Sequence, residues 1–175
     1  MILYSHQIFE RLSPLLSIFE RRNLLEAPAV DSTPTDVIVY GYGRFGRRLV
    51  EQLATHGHHV LVVDWDPHTR IHTDDPALVA RITTRFGDAD DPEFPASLPI
   101  DSTRWIVSTI PRVDTNKVLA NSLRRWGATA KLAVTAHTAT DEQRLAPETA
   151  DGSIDLVLRP FDAAADAALA KFMSA

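Results

Sequence analysis

Gly41, Gly43 and Gly46 stand at the spacing with which a polypeptide backbone can hold a phosphate. In the run Gly41-Tyr42-Gly43-Arg44-Phe45-Gly46, the first glycine permits a tight turn and the second leaves no Cβ between the backbone and a pyrophosphate. The third lets a following helix pack closely on a sheet. Phosphate oxygens would accept hydrogen bonds from free N–H groups at the positive end of that helix. Arg44 adds a guanidinium suited to neutralising a phosphate, the plainer alternative being a solvated surface arginine. Asp64 carries the second chemistry, near the roughly 20-residue offset at which an acid meets the adenosine ribose. A carboxylate there accepts two hydrogen bonds from a 2′,3′-diol and repels a 2′-phosphate, which favours NAD or an adenosine nucleotide over NADP. Its plainer alternative is a polar strand end. The pattern points to a nucleotide, and enzymes and binding modules share it.

These groups need a strand, a turn, a helix and a second strand to hold them, and the flanking sequence supplies each. Val37–Tyr40 is an apolar run of strand length. Arg47 to His56 is predicted helical, with Leu49, Val50, Leu53 and Ala54 on one face and Gly57 just past its end. His59 to Asp64 reads as a short buried strand ending in the acid. Further on, a helix is expected somewhere between His68 and Val79, and a strand over Arg81–Phe86. A short helix is expected from Asp90-Asp91-Pro92-Glu93-Phe94, opened by an aspartate cap and a first-turn proline. Strands follow at Trp105–Thr109, Leu132–Thr135 and Ile154–Leu158. Between and after them come helices at Asn116–Trp126, from Asp141 to Leu145, and at about Ala163–Phe172. Alternating strands and helices predict the α/β class, a Rossmann-like doubly wound parallel six-stranded sheet. Its ligand belongs at the strand carboxyl ends, where the strand order reverses.

Composition narrows the function classes. The chain has 175 residues, 45% of them apolar and 23% charged, enough for one core of ordinary size and an appendage. It has no cysteine, which removes disulfides and thiolate metal sites and fits a reducing compartment. A net charge of −5 with no basic run argues against nucleic acid as a partner. The apolar stretches are too short to span a bilayer, and Met1-Ile2-Leu3-Tyr4 lacks the form of a secretion signal.

Residues 1–34 read as an amphipathic helical linker ahead of a domain at 35–175. Ile8, Phe9, Leu12, Leu15, Leu16 and Phe19 recur at helical spacing, and Asp31-Ser32-Thr33-Pro34 is a polar connection. The apolar segment either packs on its own domain or docks against a second subunit or neighbouring domain.

Several of these runs together resemble a known family, the N-terminal domain of regulators of potassium conductance, also called the TrkA-N domain. They are the Gly41–Gly46 turn, Val62-Val63-Asp64-Trp65-Asp66-Pro67, Phe86-Gly87-Asp88-Ala89, Ile106-Val107-Ser108-Thr109-Ile110-Pro111 and Asp155-Leu156-Val157-Leu158-Arg159-Pro160-Phe161. The Gly-Arg-Phe-Gly form, with Leu12-Ser13-Pro14-Leu15 through Phe19-Glu20-Arg21-Arg22 ahead of it, is similar to the cytosolic tails of Kef-type monovalent cation:proton antiporters. The resemblance implies a ligand-sensing domain, in which NAD(H) or an adenine nucleotide such as AMP, ADP or ATP controls transport by an attached membrane unit. Carried over by position, Gly41, Gly43, Arg44, Phe45 and Gly46 would form the phosphate turn, and Asp64 would take the ribose. Asp88 and Ala89 would lie beside the adenosine, though an acid after a strand is often only a turn former. Thr109 and Ile110 would flank the phosphates or the second half of a dinucleotide. The expected setting is cytoplasmic, tethered to or associated with the inner membrane, with a transporter domain of the same or an associated chain as partner. The family often carries a following ligand-binding domain, for which this chain is too short, so it is expected to be an excised tail or a free-standing subunit. A homodimer through the N-terminal segment and the apolar final helix, Ala163 to Met173, is expected as well.

The rival class is a small NAD-dependent oxidoreductase or its isolated cofactor domain. Hydride chemistry needs a proton relay, and none of Tyr4, Tyr40 and Tyr42 precedes a suitably placed lysine. The histidines fall mostly in turns and helix ends, with none paired at metal-ligand spacing. His137, just past the fifth strand, is the one candidate acid–base group, against the plainer reading of a surface histidine. A methyltransferase would place an acid before the first glycine, where Tyr40 stands. No catalytic and no metal-binding residue is assigned.

Overall fold

Val37–Tyr40, four β-branched or aromatic residues without a polar face, form β1, a strand buried along its whole length. The computed structural model describes residues 34–174 apart from His72, and β1 is the centre of its sheet. The remaining elements follow in alternation. They are α1 (Arg44–Thr55), β2 (Val60–Asp64), α2 (Pro76–Val79), β3 (Ile82–Phe86) and a 3₁₀ turn (Phe94–Ser97). Next come β4 (Trp105–Ser108), α3 (Val113–Arg125), β5 (Lys131–Thr135), α4 (Ala139–Ala150), β6 (Leu156–Leu158) and α5 (Pro160–Met173).

All five strand pairings are parallel, and the order across the sheet is β3-β2-β1-β4-β5-β6. This is the doubly wound plan expected from the sequence. β1 has β2 on one side and β4 on the other, with Tyr40 level with both Val63 and Ser108. The chain therefore leaves β1 and β4 toward opposite faces, and a crevice opens between their carboxyl ends. The two faces carry two cores. Ile38, Leu61 and Ile106 pack with Leu119, Leu123 and Leu145 of α3 and α4. Val39, Val60 and Val62 pack with Val50 and Ala54 of α1.

Polar contacts fix the loops at the carboxyl edge. The Ser108 hydroxyl donates to Asn116 Oδ1 at 2.6 Å, and Asn116 Nδ2 donates to the carbonyls of Ile110 at 3.1 Å and Thr135 at 3.4 Å. The Thr135 hydroxyl also donates to the Ile110 carbonyl, at 3.1 Å. This buried network ties β4, the loop after it, α3 and β5 together.

Element boundaries depart from the sequence reading in several places. Among the described residues between His68 and Val79 only the single turn of α2 forms, started by Pro76 and capped by the Asp75 carboxylate on the Ala77 N–H. Asp90 to Glu93 is not helical. Asp88 and Asp91 accept from the N–H groups of Asp90 and Glu93, two successive aspartate turns, and the 3₁₀ turn begins only at Phe94. α1 and α3 each start three residues early, at Arg44 and Val113. α4 starts at Ala139 because Thr138 and Asp141 form a capping box. β6 is shorter than expected, and α5 starts at Pro160, whose fixed φ suits a first helical position. The amphipathic helical segment expected ahead of the domain falls on residues 1–33, which lie outside the described residues. Among the described residues no helix is long and apolar enough to cross a membrane.

Candidate functional site

Gly41 turns the chain out of β1 with φ +90°, and a Cβ there would sit 2.9 Å from Thr109 Oγ1. Gly46 is still tighter, since its Cβ would lie 2.2 Å from the Gly41 carbonyl oxygen. Both glycines let α1 begin against the sheet. Gly43 differs from them: its φ is −68°, and a Cβ on it would meet nothing within 4 Å. The space beside Gly43 opens outward, as a site for close approach of a phosphate requires. No side chain caps α1 and its first turn holds no acid, so its N–H groups and positive pole face the opening.

The crevice above β1, β2 and β4 is a cleft of about 480 Å³, within the range of small-molecule sites. Gly41, Gly43, Asp64, Asp88, Ala89, Thr109 and Ile110 all line it. Gly46 lies buried behind the turn, and the side chains of Arg44 and Phe45 lie outside the lining, Arg44 exposed and Phe45 half-buried. The positions expected to act together therefore come from the end of β2 and from three separate loops, after β1, β3 and β4.

Two of them do more for the protein than the sequence implies. Asp64 Oδ2 accepts from the Tyr42 N–H at 2.6 Å, and Oδ1 accepts from the Asp66 N–H at 2.9 Å. The carboxylate thus holds the glycine turn in place, and one lone-pair direction on each oxygen remains for a ligand. Thr109 turns its hydroxyl toward the backbone, donating to the Gly41 carbonyl at 3.0 Å with Tyr40 O at 3.2 Å. It fixes the turn and leaves its hydroxyl little freedom to meet a phosphate.

Other lining residues escaped the sequence reading. Arg112, the residue before α3, pairs with Asp90 at 3.3 Å, joining the loop after β3 to the loop after β4. Trp65, three-quarters exposed, stands beside Asp64 at the rim. Thr115 and Tyr40 line the cleft with side chains that are almost wholly buried, and their hydroxyls have no hydrogen-bond partner. Burial pushes the Tyr40 phenol far above its ordinary range, against a smaller opposing pull from the Arg85 guanidinium. It stays protonated at neutral pH. Gly87 makes room for the Phe94 ring, which occupies the space its Cβ would fill. The sequence placed Tyr40 at the end of a strand, Trp65 in the Val62–Pro67 run and Gly87 in the Phe86–Ala89 run, and it carried no signal for Arg112 or Thr115. Pairings such as Asp90 with Arg112 join residues far apart in the chain.

His137 lies outside the cleft lining and packs edge-on against Phe161, with ring centroids 4.9 Å apart. Among the described residues no cluster of His, Asp and Glu could hold a metal ion.

Comparison with known proteins bears on the same elements. The sequence profile of the TrkA-N domain matches residues 37–158, from the start of β1 to the end of β6. No curated protein matches the chain by sequence. Among solved structures, the TrkA-N domain of the inner membrane protein ybaL from Escherichia coli is 18% identical with a TM-score of 0.59; the match covers 79% of this chain and 96% of that one. The Kef CTD of Shewanella denitrificans, in an AMP-bound form, is 18% identical with a TM-score of 0.62, over 79% of this chain and 80% of that one. The GsuK channel bound to NAD is 18% identical with a TM-score of 0.59, and the match covers 90% of this chain but 28% of the channel chain. At these identities the likeness to the solved structures is one of fold.

Proposed function

The chain belongs to the TrkA-N domain family, and on that premise we propose that its cleft binds an adenine nucleotide or NAD(H) as a signal that controls ion transport by a membrane protein. The observation that carries this reading is the opening at Gly43. A Cβ added at Gly43, the residue that opens the uncapped α1, would meet nothing within 4 Å, and Asp64 lines the same cleft. Phosphate would sit on the α1 N–H groups, and the ribose diol would use the remaining lone pairs of Asp64. The similar Kef CTD was solved with AMP and the similar GsuK channel with NAD, which supports this ligand class and a potassium or other monovalent cation transporter, antiporter or channel, as partner. A cytoplasmic setting beside the inner membrane follows from that partnership.

The cleft is read as a sensor and not as an enzyme. Its acids are already committed: Asp64 and Asp88 hold turns, and Asp90 pairs with Arg112. The Tyr40 phenol is held protonated, and His137 lies elsewhere against Phe161. Control of a transporter requires that the ligand bind two states unequally. A homodimer offers such states, and α5 supports one: Phe161, Leu169, Phe172 and Met173 are all exposed on it. Calorimetry and thermal shift with NAD, NADH, NADP, AMP, ADP and ATP test the reading. Binding of unphosphorylated-ribose ligands in preference to NADP is expected; no response to any of them would overturn it.

A further inference from the structure

We propose that the start of α3 is a second phosphate subsite of this cleft, so that a nucleoside diphosphate is held at two helix N-termini and a monophosphate at one. The inference rests on the nucleotide reading above and goes beyond it by specifying how long a phosphate chain the site prefers.

Thr115 provides the first observation. It is the third residue of α3, it lines the cleft, and it is 3% exposed with a hydroxyl that has no hydrogen-bond partner. Side chains lean toward the N-terminus of their helix, which directs this hydroxyl to the α3 end facing the crevice. A buried hydroxyl without a partner is costly, and a phosphate oxygen would accept from it.

The helix end itself is the second. α3 has 13 residues and no side-chain cap, and its first intrahelical bond runs from the Asn116 N–H to the Arg112 carbonyl. The N–H groups of Val113, Asp114 and Thr115 therefore have no partner within the helix. The one acid of the first turn, Asp114, is turned to Arg144 on α4 at 2.8 Å and is absent from the cleft lining. Arg112 supplies the cation. It lines the cleft and is 70% exposed, with Asp90 as its partner.

Position links the two subsites. α1 follows β1 and α3 follows β4, and these strands are neighbours in register, about 4.8 Å apart. A phosphate seated at Gly43 thus leaves the next phosphate of the chain beside the α3 end. The remaining lining acids, Asp64, Asp88 and Asp90, oppose an anion. Asp64 and Asp88 are engaged by backbone N–H groups, and Asp90 is the carboxylate a phosphate would displace from Arg112.

Calorimetry on the full chain with AMP and with ADP, in the absence of divalent cations, tests this. Wild type is expected to bind ADP at least tenfold more tightly than AMP. Thr115→Val, which keeps the shape and removes the hydroxyl, and Arg112→Gln, at an exposed position, should each remove most of that preference and leave AMP affinity within about twofold. Thermal melting should show Thr115→Val at least as stable as wild type, since it removes an unpartnered buried hydroxyl. Equal affinity for AMP and ADP in wild type would overturn the second subsite alone, as would variants that weaken both ligands alike. Failure of AMP and ADP both to bind, with NAD still bound, would overturn the second subsite alone; failure of NAD as well would overturn the nucleotide reading with it.

Discussion

At Gly43 and Gly46 the same substitution should separate binding from folding. Alanine at Gly43 meets no atom within 4 Å and needs no unusual φ. The loss of a tolerable cap residue and the gain from a stiffer unfolded chain roughly cancel, so stability should stay within about 1 kcal/mol. The new methyl enters the space a phosphate needs, and nucleotide affinity should fall at least tenfold in calorimetry. Alanine at Gly46 instead meets the Gly41 carbonyl oxygen at 2.2 Å and should cost about 1–3 kcal/mol by denaturant unfolding. Asp64→Asn is a less selective probe. An amide offers one acceptor oxygen where the Tyr42 and Asp66 N–H groups use two, so the turn would be disturbed along with any ribose contact. The glycine turn was legible in the sequence because its spacing and its chemistry are local. Arg112, Thr115 and Asp90 were not, because their meaning arises only when two distant loops meet over the sheet.

The elements position this chemistry through the carboxyl edge of the sheet, and the network around Asn116 is the joint most open to test. Asn116→Ala would strip partners from the buried Ser108 hydroxyl and from one end of the α3 connection, while Thr135 still reaches the Ile110 carbonyl. A loss of about 2–4 kcal/mol is expected in denaturant unfolding, with the loop after β4 losing hydrogen-exchange protection before the rest of the sheet. A change below 0.5 kcal/mol would mean the network does not hold the loop. Asn116 reads in sequence as a plausible first residue of a helix, and it is in fact buried one turn inside it. The six strands and the order of helices were legible because their apolar periods are long enough to be distinctive. The 3₁₀ turn at Phe94 was not. Asp90 to Glu93 has the composition of a helix start, and the aspartates spend it on turns.

At the scale of the whole molecule, α5 is the element least covered by the other described residues. None of its residues is buried, and Phe161, Leu169, Phe172 and Met173 face solvent, an apolar exposure typical of an association surface. Light scattering across a concentration range should find a dimer that Leu169→Asp together with Phe172→Asp dissociates, without change in the melting of the sheet. A monomer at high concentration would remove α5 from the account of signalling.

The central claim is that the cleft recognises an adenine nucleotide through the opening at Gly43. Its most direct test is calorimetric titration of wild type and Gly43→Ala with AMP, NAD and NADP, with both proteins shown to melt alike. The account predicts saturable binding of AMP or NAD to wild type, weaker binding of NADP, and at least a tenfold loss in Gly43→Ala. Wild type that binds none of the three, or Gly43→Ala that binds as tightly as wild type, would contradict it.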